Sequence, residues 1–347
     1  MKQFNPISTH SILLHFTFYI LHFTFYILPS SAQDTHLSQF YVAPMFYNPA
    51  NLAISQCKTK AGIDYKSQWS SVSKPYVTQL AYLENKIIPK SFKQDWAGLG
   101  LIVLNDKAGD INLHTFKASL VGSYHKGIIE DNKLFASLGA SFGVVSKSYD
   151  PSKLIFDNQW TQSGFDNSLP SDEVLFNTNY LYTDFNAGTM LTYSPTSEIS
   201  ASLGGSLQNL NRPKESTFFE SENRIGVKKV LHFGVDFMIN EKLFFLPKFM
   251  LVSQKKAKEM LMGLNICYLM KETQVYFGVW DRAKSDIILM AGFEYNKLAI
   301  ALSYDVNYSK LNVATNYRGG FEISLSKKFG KKNERKVSAG KKTMPMF

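Results

Sequence analysis

The chain has 347 residues, and 38 basic against 28 acidic side chains give it a net charge of +10. Apolar residues make up 45% and charged residues 19%, a composition that excludes an intrinsically disordered protein. A mean hydropathy of −0.14 excludes a bundle of transmembrane helices but is compatible with an outer-membrane β-barrel, whose strands alternate apolar and polar residues. The two cysteines, Cys57 and Cys267, exclude a disulfide scaffold and a cysteine-rich metal site.

The first 32 residues have the pattern of an export signal. Lys2 precedes an apolar run over 12–28, and the small residues 30–32 form a cleavage site. The run contains the sequence HFTFYIL twice in tandem, which lengthens it to the size of a membrane helix. We expect residues 1–32 to be a signal peptide for Sec export, and an uncleaved anchor is the alternative.

Residues 33–56 follow the signal and are rich in Phe, Tyr and Asn-Pro. Two interpretations are open: a periplasmic segment that contacts a partner, or a plug that folds into the lumen of a barrel formed by the rest of the chain. For partner contact the candidate residues are Phe40, Tyr41, Asn48 and Pro49, because aromatic side chains are enriched at protein interfaces.

Alternation with a period of two residues dominates residues 57–330 and predicts β-strands. In 298–308, for example, one face is apolar and the other is small or polar. We expect about fourteen strands, centred near residues 62, 81, 101, 119, 140, 186, 204, 233, 247, 264, 276, 290, 303 and 324. Each has about 9–14 residues, close to the ~9–11 that a tilted strand needs to cross a bilayer.

The lengths of the connections indicate a barrel rather than a soluble β-sandwich. If the first strand leaves the periplasm, the outer loops are 69–75, 105–110, 149–178, 211–226, 254–258, 281–285 and 310–318. The inner turns are then 89–95, 127–132, 194–197, 240–241, 270–271 and 296. Long outer loops and short periplasmic turns are typical of outer-membrane barrels. We therefore expect an all-β fold, a transmembrane antiparallel β-barrel of about 14 strands over 57–330.

Polar and aromatic residues fit the same map. Four acidic residues fall on polar faces that would line the lumen: Asp184, Asp236, Glu294 and Asp305. Three tyrosines near strand ends fit the aromatic girdles of a membrane protein: Tyr193, Tyr295 and Tyr308. Charges on the lipid face would destabilise the barrel, so we expect these acidic side chains to point into the lumen.

The longest connection, 149–178, is a candidate surface for a protein partner. It carries Phe156, Trp160 and Phe165 among polar residues, the mixture expected at interfaces. The alternative is a loop that fills the lumen or is merely solvated.

The end of the chain is strongly basic. Residues 327–347 contain eight Lys or Arg side chains and one Glu. We expect 331–347 to be a disordered periplasmic tail, either solvated or docked on an acidic partner through residues such as Lys331 and Lys332. Nucleic acid is not expected as a partner, because the charge is terminal and lysine-rich rather than placed on a folded face.

Enzyme signatures are missing from the sequence. It contains no GxSxG, HExxH, Walker or dinucleotide motif. The three histidines that are neither in nor near the signal, His114, His125 and His232, are too widely spaced to predict a metal site. We expect a protein that is not an enzyme, with no cofactor, no metal and no small-molecule substrate.

Several segments resemble the PorP/SprF family of type IX secretion membrane proteins. The resemblance is carried by Gln33-Asp34, Ser38-Gln39-Phe40-Tyr41, Phe46-Tyr47-Asn48-Pro49-Ala50, Tyr65-Lys66-Ser67-Gln68-Trp69, Ser73-Lys74-Pro75, 98–101, 104–109, 150–160 and 231–326. It extends over about 33–330, nearly the whole exported chain. It ends at Phe329, where members of the family usually stop and this chain adds its basic tail.

The resemblance implies an outer-membrane barrel of Bacteroidota that takes part in type IX secretion or gliding motility. It implies two kinds of partner besides membrane lipid: periplasmic type IX ring lipoproteins and a large secreted adhesin. The expected function is to help export or anchor such an adhesin by protein–protein binding. The alternative is a diffusion channel similar to a porin, because a barrel of this size can enclose an aqueous pore unless its lumen is filled.

Overall fold

A computed structural model describes most of the chain after residue 34. The described residues are 35–55, 57–88, 94–130, 133–166, 168–170, 178–215 and 223–330. The expected signal peptide, 1–32, and the expected basic tail, 331–347, lie outside them.

Fourteen antiparallel strands form a closed barrel. They are β1 (Thr59–Gln68), β2 (Tyr76–Ile87), β3 (Trp96–Ala108), β4 (Leu113–Gly127), β5 (Leu134–Ser148), β8 (Asn179–Tyr193), β9 (Ile199–Gln208), β10 (Lys228–Met238), β11 (Leu243–Gln254), β12 (Ala257–Met270), β13 (Thr273–Arg282), β14 (Asp286–Tyr295), β15 (Leu298–Asn307) and β16 (Arg318–Phe329). Each pairs with the next barrel strand along the chain, and β1 pairs with β16 to close the barrel. Every predicted strand centre falls within one of these strands, so the predicted fold class is confirmed.

Side-chain alternation decides which face of each strand turns inward. On β15, Ser303 and Asp305 are 2% and 1% exposed, whereas Leu302 and Tyr304 are 43% and 42% exposed. The outward apolar residues form a belt that the bilayer covers, and polar residues line the lumen. Because the period is two residues, a slip of one position in pairing would turn every inward-facing charge of a strand toward lipid. The alternation therefore also fixes the register.

The two ends of the barrel differ in the length of their connections. At one end, the long-loop end, the connections are 69–75, 109–112, 149–178, 209–227, 255–256, 283–285 and 308–317. At the other, the short-turn end, they are 88–95, 128–133, 194–198, 239–242, 271–272 and 296–297. The loop 149–178 contains a small hairpin of β6 (Trp160–Thr161) and β7 (Gly164–Phe165), and the loop 308–317 contains the helical turn α2 (Asn312–Thr315).

Residues 35–55, the N-terminal segment, lie inside the barrel. The segment contains the helical turn α1 (Pro44–Tyr47) and a 3-10 turn (Pro49–Asn51). Each turn starts with a proline, which suits a position where the backbone N–H has no partner within the helix. In the second turn Asn48 accepts a hydrogen bond from the Ala50 N–H (3.0 Å). Among the described residues, no helix has the length and apolar character needed to cross a membrane.

The apolar core lies between the N-terminal segment and the inner faces of neighbouring strands. Buried residues of the segment that belong to it are Leu37, Phe40, Tyr41, Val42, Ala43, Met45, Tyr47, Leu52 and Ala53. Wall residues of the same cluster include Phe244, Leu246, Met250, Leu261, Tyr276, Trp280 and Ile288. The segment therefore forms one packed core with the wall.

Candidate functional site

Four charged side chains form a cluster on the inner wall near the long-loop end. Lys66 lies on β1, Arg282 on β13, Asp305 on β15 and Glu322 on β16, and all four are buried. The Nζ of Lys66 lies 3.4 Å from Asp305 Oδ2 and 3.8 Å from Glu322 Oε2. The Arg282 guanidinium contacts Asp305 at 3.1 Å and Asp286 at 2.8 Å. We call Lys66, Arg282, Asp305 and Glu322 the charged cluster. Mutual pairing is what makes their burial tolerable.

The charged cluster binds the beginning of the N-terminal segment through its backbone. The Glu322 carboxylate accepts hydrogen bonds from two consecutive amides, Ser38 N–H (2.7 Å) and Gln39 N–H (2.8 Å). The Ser38 hydroxyl donates to Asp305 Oδ2 (2.7 Å) and accepts from the Nζ of Lys66 (2.8 Å) and from Arg282 (2.9 Å). Hydrogen bonds to ionised groups are the strong ones, so this end of the segment is firmly held.

The side chain of Gln39 is bound on both its polar atoms. Its amide nitrogen donates to Ser303 Oγ (3.1 Å) and to the Glu322 carbonyl (3.3 Å). Its amide oxygen accepts from Ser324 Oγ (2.8 Å). These partners stand on β15 and β16, where the small polar residues of the inward face leave room for the amide.

Aromatic rings hold the next two residues. Tyr41 stacks on Trp280, with ring centroids 5.2 Å apart and planes 21° apart, and Phe40 meets Trp280 edge-on at 5.5 Å. The Trp280 indole N–H donates to Asn265 (2.8 Å). A Cβ at Gly263 would lie 2.5 Å from the Trp280 ring, so this glycine gives the indole its place against the wall.

The turn at 48–51 lies in a notch between β5 and β8. Gly139 and Gly188 face each other in the ladder. A Cβ at Gly139 would lie 2.3 Å from the Ala50 nitrogen, and one at Gly188 would lie 2.0 Å from Asn48 Oδ1. The two glycines therefore let the backbone of the turn approach the wall. Asn48 adds hydrogen bonds from its side-chain nitrogen to the Thr189 carbonyl (3.0 Å) and to His232 Nε2 (2.9 Å).

The last part of the segment is bound near the short-turn end. The Leu52 carbonyl accepts from Ser123 Oγ (3.0 Å) and from His125 Nε2 (2.8 Å). Ala53 donates its N–H to Glu84 (3.0 Å). The Ala53 carbonyl accepts from the Trp96 indole (3.0 Å). The segment thus runs through the lumen from the long-loop half to the short-turn end, where β1 begins.

A carboxylate fixes the backbone beside the point where the segment reaches the short-turn end. Asp95 accepts hydrogen bonds from the Tyr124 hydroxyl, the Nζ of Lys126 (2.9 Å) and the Gly127 N–H (3.1 Å). These donors, that of Tyr124 first, hold the pKa of Asp95 below its ordinary value. The carboxylate therefore stays ionised and ties the residue just before β3 to the end of β4.

The structure divides the candidate contact residues into three groups. Phe40, Tyr41, Asn48 and Pro49 are enclosed by the wall, so in this conformation they offer no outer surface to a partner. In the loop 149–178, Trp160 is 59% and Phe165 39% exposed, their rings are 5.9 Å apart, and Phe156 is half-buried beside them in sequence. Lys331 and Lys332 lie outside the described residues.

The charged cluster was largely missed by sequence reasoning. Of its members, Asp305 was expected in the lumen, and the structure buries it there together with Asp184 and Glu294. Lys66, Arg282 and Glu322 were not singled out. The available signal was a charged residue on the small, polar face of a predicted strand. Within the described residues, no group of three or more His, Cys, Asp or Glu is arranged to hold a metal ion.

The barrel is similar to solved outer-membrane barrels. The toluene transporter TbuX of Ralstonia pickettii is 11% identical, with a TM-score of 0.51, over 82% of this chain and 93% of that one. The CymD monoaromatic hydrocarbon channel is 14% identical, with a TM-score of 0.47, over 87% of this chain and 96% of that one. A Pseudomonas aeruginosa FadL homologue is 11% identical, with a TM-score of 0.48, over 82% of this chain and 93% of that one. At such identities the likeness concerns the fold alone.

Sequence comparison identifies the family. A search of curated proteins found no match. Residues 30–326 match the family described as type IX secretion system membrane protein PorP/SprF, and the match includes the N-terminal segment and nearly all of the barrel. With a closed barrel of fourteen strands and a family match over most of its length, the chain belongs to the PorP/SprF family of type IX secretion system membrane proteins and resides in the outer membrane.

Proposed function

We propose that this PorP/SprF member is a non-enzymatic scaffold that helps to export or anchor a large surface adhesin by protein–protein binding. The observation that carries the proposal is the occupied lumen. Residues 35–55 are bound to the wall near the long-loop end, at the Gly139–Gly188 notch and near the short-turn end. A barrel filled in this way is suited to binding at its ends rather than to conducting solutes through its centre.

The same observation weighs against a diffusion channel. A channel needs a continuous aqueous path, and here buried aromatic side chains of the segment, among them Phe40 and Tyr41, pack against Trp280 across the lumen. We therefore interpret the N-terminal segment as a plug that closes the barrel.

The small hairpin of β6 and β7 is the surface that we propose for the adhesin. It presents Trp160 and Phe165 outward, and the Gln159 side chain braces its base by donating to the Leu169 carbonyl (2.9 Å). An exposed aromatic pair on a braced hairpin resembles the anchors of protein interfaces. Long loops of outer-membrane barrels lie outside the cell, so a hairpin in such a loop would be accessible to a surface protein.

The short-turn end is the surface that we propose for periplasmic partners. The strand β16 ends there at Phe329, so the basic residues that follow would leave the barrel on the periplasmic side. A tail beginning with Lys331 and Lys332 fits an acidic surface on a ring lipoprotein.

Affinity purification from detergent-solubilised outer membranes, followed by mass spectrometry, tests the proposal. We expect the wild type to recover type IX proteins and one large secreted protein. A Trp160→Ala/Phe165→Ala variant should recover at least about tenfold less of the large protein, since aromatic anchors contribute about 2 kcal/mol or more to binding. A Phe142→Ala/Phe185→Ala variant, which removes a comparable aromatic pair from the lipid face, is the matched control and should recover it fully. Equal recovery from all three proteins would refute the proposed surface.

A further inference from the structure

The wall holds the N-terminal segment largely by its backbone, as a receptor holds a peptide. Glu322 accepts two consecutive amides, and the Nζ of Lys60 donates to the Val42 carbonyl (3.1 Å). The Tyr47 carbonyl accepts from Ser206 Oγ (2.6 Å) and from the Gln208 side chain (2.8 Å). Contacts to the backbone can be made to any sequence that follows the same path.

A few side-chain subsites restrict which sequences fit. The charged cluster surrounds a hydroxyl group, that of Ser38. Ser303 and Ser324 surround a carboxamide, that of Gln39. Trp280 then contacts two successive aromatic rings. The subsites together select a hydroxyl residue, an amide residue and two aromatic residues in that order.

The wall can persist without the segment. Barrel strands pair with one another around the full circle, so the ladder does not depend on residues 35–55. The segment itself has two short turns, α1 and the 3-10 turn, and would not keep its shape once released. On release, water would enter the lumen and solvate the charged cluster, which avoids the penalty of unpaired buried charge. Exchange of one peptide for another is therefore physically accessible.

We propose that the lumen is a peptide-binding site, occupied in cis by the N-terminal segment, that accepts a second peptide of the same chemistry in its place. The ligand class is an extended polypeptide segment with a hydroxyl residue, an amide residue and two aromatic residues in succession, as in 38–41. The inference rests on the proposed closure of the lumen by residues 35–55 and adds that the closing element is exchangeable.

The experiment uses the full chain with a protease recognition sequence inserted between Ser55 and Lys58. The protein is folded, cut, and incubated with a fluorescent synthetic peptide of residues 35–55. We expect saturable uptake by the cut barrel and none by the uncut one. A Gln39→Pro peptide, which lacks both the N–H that donates to Glu322 and the carboxamide bound by Ser303 and Ser324, should bind at least about tenfold more weakly, as expected for loss of a hydrogen bond to a charged group and of the neutral ones beside it.

Two further peptides test the ligand class. A Phe40→Tyr/Tyr41→Phe peptide keeps both rings and should still bind, whereas a Phe40→Ala/Tyr41→Ala peptide should bind at least about tenfold more weakly. A peptide with the sequence of 35–55 reversed has the same composition and should not bind.

If the cut segment stayed tightly bound, exchange would not be detected. A second measurement therefore removes the segment first. The cut protein is unfolded, freed of the segment by gel filtration in denaturant, and refolded with the labelled or the reversed peptide. Equal incorporation of both peptides, or of neither, would overturn the proposal. If the uncut protein nevertheless shows no conductance, closure of the lumen stands and the exchangeable site alone is refuted.

Discussion

At the scale of single residues, the glycine pair Gly139 and Gly188 on β5 and β8 decides whether the N-terminal segment can pack against the wall. Strand glycines are usually unfavourable because they add no packing and lose more backbone entropy than other residues. At Gly139 and Gly188 the absent Cβ is what lets Ala50 and Asn48 reach the wall. Both glycines are therefore expected to be sensitive to substitution through the segment they accommodate.

A Gly139→Ala substitution should displace the turn at 48–51. The new methyl group would overlap backbone atoms of Pro49 and Ala50, which cannot yield as a flexible side chain would. Hydrogen exchange measured by mass spectrometry should show amides of 48–53 exchanging at least about tenfold faster than in the wild type. Gly122→Ala on β4 is the matched control, because its Cβ would have no neighbour within 4 Å, and its exchange should be unchanged. Unaltered protection in Gly139→Ala would show that the turn does not depend on the notch.

Residue-scale prediction from sequence succeeded where a local pattern existed. Alternation along β15 assigns Asp305 to the lumen, and the structure agrees. Its contact with Ser38 could not be predicted, because the two residues are far apart in sequence and the segment 35–55 has no period to orient it. The contact between Gly139 and the turn at 48–51 could not be predicted for the same reason. From the sequence alone, Gly139 is only a glycine that weakens a strand.

At the scale of strands, each strand has its own outward apolar face, and the cost of placing a charge on that face depends on depth in the bilayer. Leu302 lies in the middle of β15 and Leu207 lies next to the end of β9, and both point outward. Strand number and strand centres were predictable because each strand carries its own alternation, whereas some strand ends differ by a few residues, as at β3, which extends to Ala108 into the predicted loop 105–110. The path of residues 35–55 was not, since it is decided by contacts with many strands, and the sequence left both a plug and a partner-binding segment open.

Lysine substitutions on the outward face should show this dependence on depth. Leu302→Lys should lower the free energy of unfolding by about 2–4 kcal/mol, because the charge would lie near the bilayer midplane. Leu207→Lys, the same change near a strand end, should cost about 0–1 kcal/mol. Reversible denaturant titrations in lipid vesicles measure both values. Similar costs at the two positions would contradict the placement of the belt.

The basic tail offers a second prediction at this scale. Deleting 331–347 should weaken co-purification of periplasmic partners at low salt, because an exposed cationic segment attracts acidic surfaces over a Debye length of about 10 Å. Near 1 M salt that length falls to about 3 Å, and the truncated and complete proteins should then behave alike. Recovery that is unchanged at low salt would leave the tail a solvated extension.

At the scale of the whole molecule, the barrel and its N-terminal segment form one packed unit. The charged cluster, the aromatic contact with Trp280 and the exit near Trp96 bind successive parts of the segment along the lumen. The solved toluene transporter TbuX has a similar barrel, but at 11% identity that likeness shows the fold alone. Filling of the lumen is consistent with a secretion-system scaffold whose binding surfaces lie at the two ends of the barrel.

Single-channel recording in planar bilayers tests this account most directly. The purified wild type should show no steady conductance if residues 35–55 close the lumen as we propose. The protein cut between Ser55 and Lys58 and freed of its segment should show stable open steps, and adding back the peptide 35–55 should close them. Steady open conductance from the intact wild type, equal to that of the emptied barrel, would contradict the account and favour a diffusion channel.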